Sequence, residues 1–95
     1  MARLMWLPEA LEDVDRLYEF LRDKDRQAAD ECVLTILDRT KLLKESPRLG
    51  RPMSDETGRR ELFIAFGAGA YVIRYRLEND ETATIIRVWH SRESR

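Results

Sequence analysis

Tyr71-Val72-Ile73-Arg74-Tyr75-Arg76-Leu77, followed by Glu78-Asn79-Asp80-Glu81 and then Thr82-Ala83-Thr84-Ile85-Ile86-Arg87-Val88-Trp89-His90, is the stretch that decides the fold. Tyr71, Ile73, Tyr75 and Leu77 alternate with Val72, Arg74 and Arg76, the period of two that marks a strand with one buried face. The polar tetrad Glu78 to Glu81 ends it, and a second strand runs from Thr82 to about His90. With Asn79 and Asp80 at a two-residue tip, in the positive-φ conformations such turns require, Glu78 faces Glu81. Counting back pairs Tyr75 with Thr84, Ile73 with Ile86 and Tyr71 with Val88, a mostly apolar face. The other face carries Arg76 opposite Ala83, Arg74 opposite Ile85, Val72 opposite Arg87 and Ala70 opposite Trp89. A one-residue slip would carry three guanidinium groups into the core, at a high desolvation cost. Arg74, Arg76, Arg87 and Trp89 are therefore expected together on an open sheet face, with His90 on the packed side at the strand's end.

Upstream, Leu62, Ile64 and Phe66 alternate with Glu61, Phe63 and Ala65, and Gly67 and Gly69 punctuate the turn into the strand just described. Pro47, Gly50 and Pro52 open a loop that runs to Gly58. Before it the period is helical: Ala29, Cys32, Val33, Ile36, Leu37, Thr40 and Leu43 form an apolar stripe over about 26 to 45. Leu11, Val14, Leu17, Tyr18 and Leu21 do the same over 8 to 22, where Pro8 opens the helix and Glu9, Glu12 and Asp13 suit its N-terminus. The break at Lys24, with Asp25 as N-cap, is short enough to imply an antiparallel helical hairpin. Ala2 to Leu7 can add a short strand. The predicted architecture is α+β, in the order β-α-α-β-β-β, with the helical hairpin packed on one face of a mainly antiparallel twisted sheet.

Ninety-five residues make one domain, spanning 1–95, with a single modest core. Seventeen Lys and Arg balance 18 Asp and Glu for a formal net charge of -1, so the total charge predicts no nonspecific affinity for nucleic acid. The distribution is uneven. Arg48, Arg51, Arg59, Arg60, Arg74, Arg76, Arg87, Arg92 and Arg95 lie in the second half, while acids crowd the first, which suggests a dipolar molecule with one basic face. The single Cys32 falls within an apolar helical pattern and reads as a buried, inert thiol. One cysteine and one histidine do not make a typical zinc site, and no cofactor is implied. No apolar run approaches a membrane span and no signal-peptide pattern opens the chain, so a cytoplasmic location is expected.

Arg87, Val88, Trp89, His90, Ser91 and Arg92 crowd an aromatic, the sole histidine and arginines at a strand end. Basic groups there suit a polyanion or an acidic protein partner, and a histidine there suits proton transfer near neutral pH. A solvated tail, with His90 only capping the strand and Trp89 only covering the sheet, is the plainer reading. Glu9, Glu12, Asp13 and Asp15 read as helix N-terminal stabilisation and a solvated face, and Glu61 beside Arg60 as half of a salt bridge. Phe63, on the face opposite Leu62 and Ile64, is expected to be exposed and to extend an apolar patch with Trp89.

These stretches together carry a resemblance. The Pro47-to-Gly50 helix exit followed by Arg51 and Pro52, the Arg60-Glu61-Leu62 strand start, the Tyr71-to-Arg76 strand and the Ile86-to-Arg92 ending are similar to the RelE/ParE superfamily of bacterial toxins over nearly the whole chain. The resemblance implies a toxin with an antitoxin partner, a flexible segment of which folds on as helix and strand to form a hetero-oligomer. It implies either of two activities. RelE-like members cut messenger RNA on the ribosome without a metal; here His90 would be the base or acid, with Arg74, Arg87 and Arg92 as cations. ParE-like members poison DNA gyrase.

Several departures favour the ParE-like branch. The chain is slightly acidic, with a pI near 5.9, whereas ribosome-dependent members are strongly basic. Val72 stands where a phosphate-binding arginine is common, the lysines all lie in the helical half, and no tyrosine follows Tyr75. Target contacts are then expected at Arg74, Arg76, Arg87, Trp89, His90 and Arg92, and antitoxin contacts at Phe63, Arg74, Arg87 and Trp89. A catalytically silent binding domain within an antitoxin repressor complex is the remaining alternative.

Overall fold

The computed structural model describes residues 1–93; Arg95, counted above among the clustered arginines, lies outside the described residues. The elements run β1 (Arg3–Trp6), α1 (Pro8–Arg22), α2 (Arg26–Thr40), α3 (Leu42–Glu45), β2 (Arg51–Pro52), β3 (Arg59–Phe66), β4 (Gly69–Glu78) and β5 (Thr82–His90). The five strands form one sheet in the order β1-β5-β4-β3-β2. β1 is parallel to β5, and every other pairing is antiparallel.

Pro8 occupies the first turn of α1, with Glu9 beside it. Asp25 caps α2, accepting from the N–H groups of Gln27 and Ala28 at 3.0 and 3.2 Å, as its position before the apolar stripe predicts. The expected helix over 26 to 45 is interrupted at Lys41, and its last turn is α3. Within the expected loop from Pro47 to Gly58, Arg51 and Pro52 pair with Glu61 and Arg60 as a short edge strand. Proline tolerates such an edge because it has no ladder N–H to give.

Leu17, Cys32, Ile36, Leu43, Ile73, Tyr75, Ala83, Ile85 and Val88 meet in one core between the helices and the sheet. Buried phenols anchor it. Tyr75 donates to Pro47 O at 2.8 Å and accepts from Gly50 N–H at 2.8 Å. A Cβ on Gly50 would lie 2.5 Å from the Tyr75 ring, so glycine is required where the loop crosses that ring.

The β4–β5 register corrects the expectation from the regular hairpin count. Asn79 and Asp80 do adopt positive φ, at 53° and 61°, and Glu81 N–H donates to Glu78 O at 3.1 Å. The ladder nevertheless begins with Glu78 opposite Thr82, which sets Tyr75 opposite Ile85 and Arg76 opposite Thr84. An irregularity between Arg74 and Tyr75 adds a second offset, after which Arg74 faces Arg87, Ile73 faces Val88, Val72 faces Trp89 and Tyr71 faces His90. Ala83 and Ile85, expected on the open face, are fully buried. The extra residue on the bulged strand lets β5 switch faces, so Ala83, Ile85 and Val88 all reach the core.

Candidate functional site

On the open face, side chains align in rungs across β3, β4 and β5. One rung is Phe63, Val72 and Trp89, and the next is Glu61, Arg74 and Arg87. Both Nε and Nη2 of Arg74 donate to Glu61 Oε2, at 3.1 and 2.8 Å, the salt bridge expected for Glu61. The Arg74 guanidinium also lies 4.9 Å from the centre of the Trp89 ring, and that of Arg51 lies 5.2 Å from the Phe63 ring. Such cation–π contacts set guanidinium groups beside aromatic rings on this face. Phe63 is 48% exposed, as expected. Arg76 lies one rung further along, paired with Glu78 at 3.1 Å.

Arg87 takes a different path from its neighbour. Its Nε and Nη2 donate to the two oxygens of Asp13 on α1, at 2.7 and 3.0 Å. Asp13 Oδ2 also accepts from Val88 N–H at 2.9 Å, and Arg16 donates to Asp13 and to Val88 O, both at 3.3 Å. β1 pairs with β5 only as far as Ile85. Beyond that point the side chains of Asp13 and Arg16 serve the outer edge of β5 in place of a neighbouring strand.

The reading of Asp13 as one of several solvated N-terminal carboxylates is corrected here. Asp13 is only 4% exposed. Burial alone would raise its pKa, but the hydrogen bonds from Arg87 and Val88 N–H, with the charges of Arg87 and Arg16, outweigh it and hold the carboxyl below the usual value of 3.8. The same pairing raises the Arg87 pKa. A sequence signal for Asp13 does exist: it stands three residues after buried Ala10 and four before buried Leu17, inside the apolar stripe of α1.

His90 lies on the other side of the sheet, opposite Tyr71, whose ring meets the imidazole edge-on at 5.1 Å. Its Nδ1 accepts from Arg92 N–H at 3.2 Å, and its Nε2 lies 3.2 Å from Phe66 O. Acceptance at Nδ1 places the proton on Nε2, which donates to that carbonyl. Glu93 closes the turn, accepting from His90 N–H at 2.8 Å and from Arg16 at 2.9 Å. His90 and Arg92 thereby line a groove of about 670 Å³ with Leu17, Phe20, Phe66 and Tyr71. A second groove, of about 690 Å³, runs between Leu42 and Leu49 on one side and Leu62 to Ala65 of β3 on the other.

Of the residues singled out in the sequence, Arg74, Arg76, Arg87, Trp89 and Phe63 thus share the open face. His90 and Arg92 belong to the groove beneath it.

Comparisons with known proteins agree with this architecture. The model of the family described as "ParE toxin of type II toxin-antitoxin system, parDE" matches residues 4–95. Toxin RelE3 of Caulobacter vibrioides is 38% identical over 88 residues, which covers 93% of this chain and 92% of that protein. Toxin RelE1 of the same organism is 37% identical over 86 residues, covering 90% and 89%. The fold is shared with the solved structure "Chromosomal ParDE TA system from P. aeruginosa", with a TM-score of 0.76 at 22% identity over 95% of this chain and 96% of that one. The class is therefore that of type II toxin-antitoxin toxins. Within it, the chain belongs to the ParE toxin family of the RelE/ParE superfamily.

Proposed function

We propose that this toxin arrests growth by binding DNA gyrase through the open face of its sheet, and that a cognate antitoxin neutralises it by covering that face and the flanking grooves. The observation that carries this reading is the placement of His90. Metal-free RNA cleavage needs a proton-transfer group beside the cations that hold the phosphate. Here Arg74 and Arg87 stand on the open face while the imidazole lies on the opposite one, where Arg92 alone of the three named cations accompanies it, and both ring nitrogens are bonded to backbone groups.

The arginines argue the same way. Arg74, Arg76 and Arg87 each hold a carboxylate of this chain, which lowers the net field they present to a polyanion. Guanidinium planes beside Trp89 and Phe63 instead have the composition of protein-interface hot spots. For the antitoxin, β3 beyond its pairing with β2 offers an edge from Leu62 to Phe66, flanked by the groove at Leu42 and Leu49. An extended segment with alternating apolar residues fits that edge.

Induced expression in bacteria without antitoxin tests the proposal. The expected result is filamentation and a DNA damage response with intact messenger RNA, retained in the His90→Gln variant. Transcripts cleaved at ribosomes would overturn it in favour of a ribosome-dependent nuclease. Normal growth with soluble protein would leave the silent binding domain.

A further inference from the structure

We infer that Asp13 is the positioning residue of this toxin: from α1 it holds the Arg87 guanidinium at the border of the open face in the orientation that the target meets. The inference rests on the reading of that face as the target-binding surface.

Arg74 and Arg87 are direct neighbours across β4 and β5. Like charges so placed repel, and a long unrestrained side chain would populate many rotamers. Arg74 is fixed on its β3 side by Glu61 and lies 4.9 Å from the centre of the Trp89 ring. Among the described residues Arg87 has one carboxylate partner, Asp13, and the pairing is a fork: Nε to Oδ2 and Nη2 to Oδ1. Two parallel bonds set the plane of a guanidinium as well as its distance. Asp13 is itself immobilised by burial and by Val88 N–H and Arg16. The orientation of Arg87 is thus set by α1 rather than by its own strand. Its side chain remains 41% exposed, so it stays within reach of a partner.

The test compares wild type, Asp13→Asn, Arg87→Ala, the double variant and Arg87→Lys by colony survival after induction, with thermal unfolding of each purified chain. Asparagine keeps an oxygen for Val88 N–H but turns a donor or a neutral oxygen toward Arg87. Lysine keeps the charge and leaves Asp13 with Val88, but cannot form the fork. The expected result is that Asp13→Asn, Arg87→Lys and Arg87→Ala each weaken growth arrest by about tenfold or more, the factor that one lost interfacial contact produces, and that the double variant is no weaker than Arg87→Ala alone. Losses that multiply in the double variant would show that Asp13 acts independently of Arg87, overturning the inference. Full arrest by Arg87→Lys would do the same, even if Asp13→Asn fails to fold. Absence of arrest by wild type is a separate failure, that of the proposed function itself.

Discussion

Arg74 and Arg87 face each other on adjacent strands, yet each guanidinium is bound on its far side, Arg74 to Glu61 on β3 and Arg87 to Asp13 on α1. Across the sheet the charges therefore run negative, positive, positive, negative. The two outer carboxylates offset the repulsion between the two inner cations, and they do so from very different surroundings. Glu61 stands on the open face, whereas Asp13 is buried between α1 and β5.

That difference sets the cost of removing each. Asp13→Ala would leave the buried Val88 N–H without its acceptor and strip the half-exposed Arg87 of its fork, a loss of about 2 kcal/mol, mostly for the orphaned N–H. For a domain of this size the melting temperature should fall by about 10 °C or more. Glu61→Ala breaks a partly exposed pair and should cost no more than about 1 kcal/mol. Equal losses in urea unfolding would show that the α1–β5 contact is not the stronger one.

Acid should act through the same carboxylate. Because the folded pKa of Asp13 is depressed, the folded state holds the proton less tightly than the unfolded chain does. Its stabilising contribution is complete above the unfolded value near 3.8 and is lost as pH falls through that value toward the folded one. Wild type should therefore lose stability below about pH 4 more steeply than Asp13→Asn. Melting curves between pH 2.5 and 6 on the two chains, compared as slopes, check this.

Gly50→Ala should be destabilising by about 2 kcal/mol, because the added Cβ meets a ring already held at both ends of its hydroxyl. Tyr75→Phe should cost a similar amount for a different reason, leaving the Gly50 N–H and Pro47 O without the phenol they share. The double variant Gly50→Ala/Tyr75→Phe should fall short of the sum of the two, which equilibrium unfolding would reveal.

One substitution should stabilise. Asp80 holds φ at 61° behind Asn79 at 53°, and Asp80→Gly creates the Asn-Gly pair that such turns favour. It removes an exposed ion pair with Arg48, of small worth in water. A net gain of about 0.5 kcal/mol is expected from relieving the left-handed residue. A loss of stability would mean that the Arg48 contact holds the loop more firmly than its exposure suggests.

The helical hairpin was legible because its apolar stripes, the proline start of α1 and the Asp25 cap all point to the same boundaries. The placement of Arg74, Arg87 and Trp89 on one face was also legible, although the register behind it was not. Regular counting paired Tyr75 with Thr84, whereas the structure pairs it with Ile85, and Arg74 with Arg87 instead of Ile85. The turn contributes one offset and the bulge another, and two single offsets restore the alternation of faces. Ala83 and Ile85, lying between the two, are where the count failed. A bulge has no hydrophobic signature of its own, since Ile85 and Ile86 suit either face equally well. Asp13 was missed because a carboxylate near a helix start has a ready local explanation. Its partners, Arg87 and Val88, stand more than seventy positions away.

β5 lies between β1 and β4, yet the ribosome makes it after both. Until residues 82–90 have left the exit tunnel, the sheet lacks the strand that joins its two parts, and Asp13 and Tyr71 lack the partners that β5 supplies, Arg87, Val88 and His90. Non-local closure of this kind delays folding. The open face proposed to meet the target is thus completed only when the last strand emerges. Ribosome-arrested chains ending before Thr82 should be digested by protease along their whole exposed length, while chains long enough to release His90 should resist.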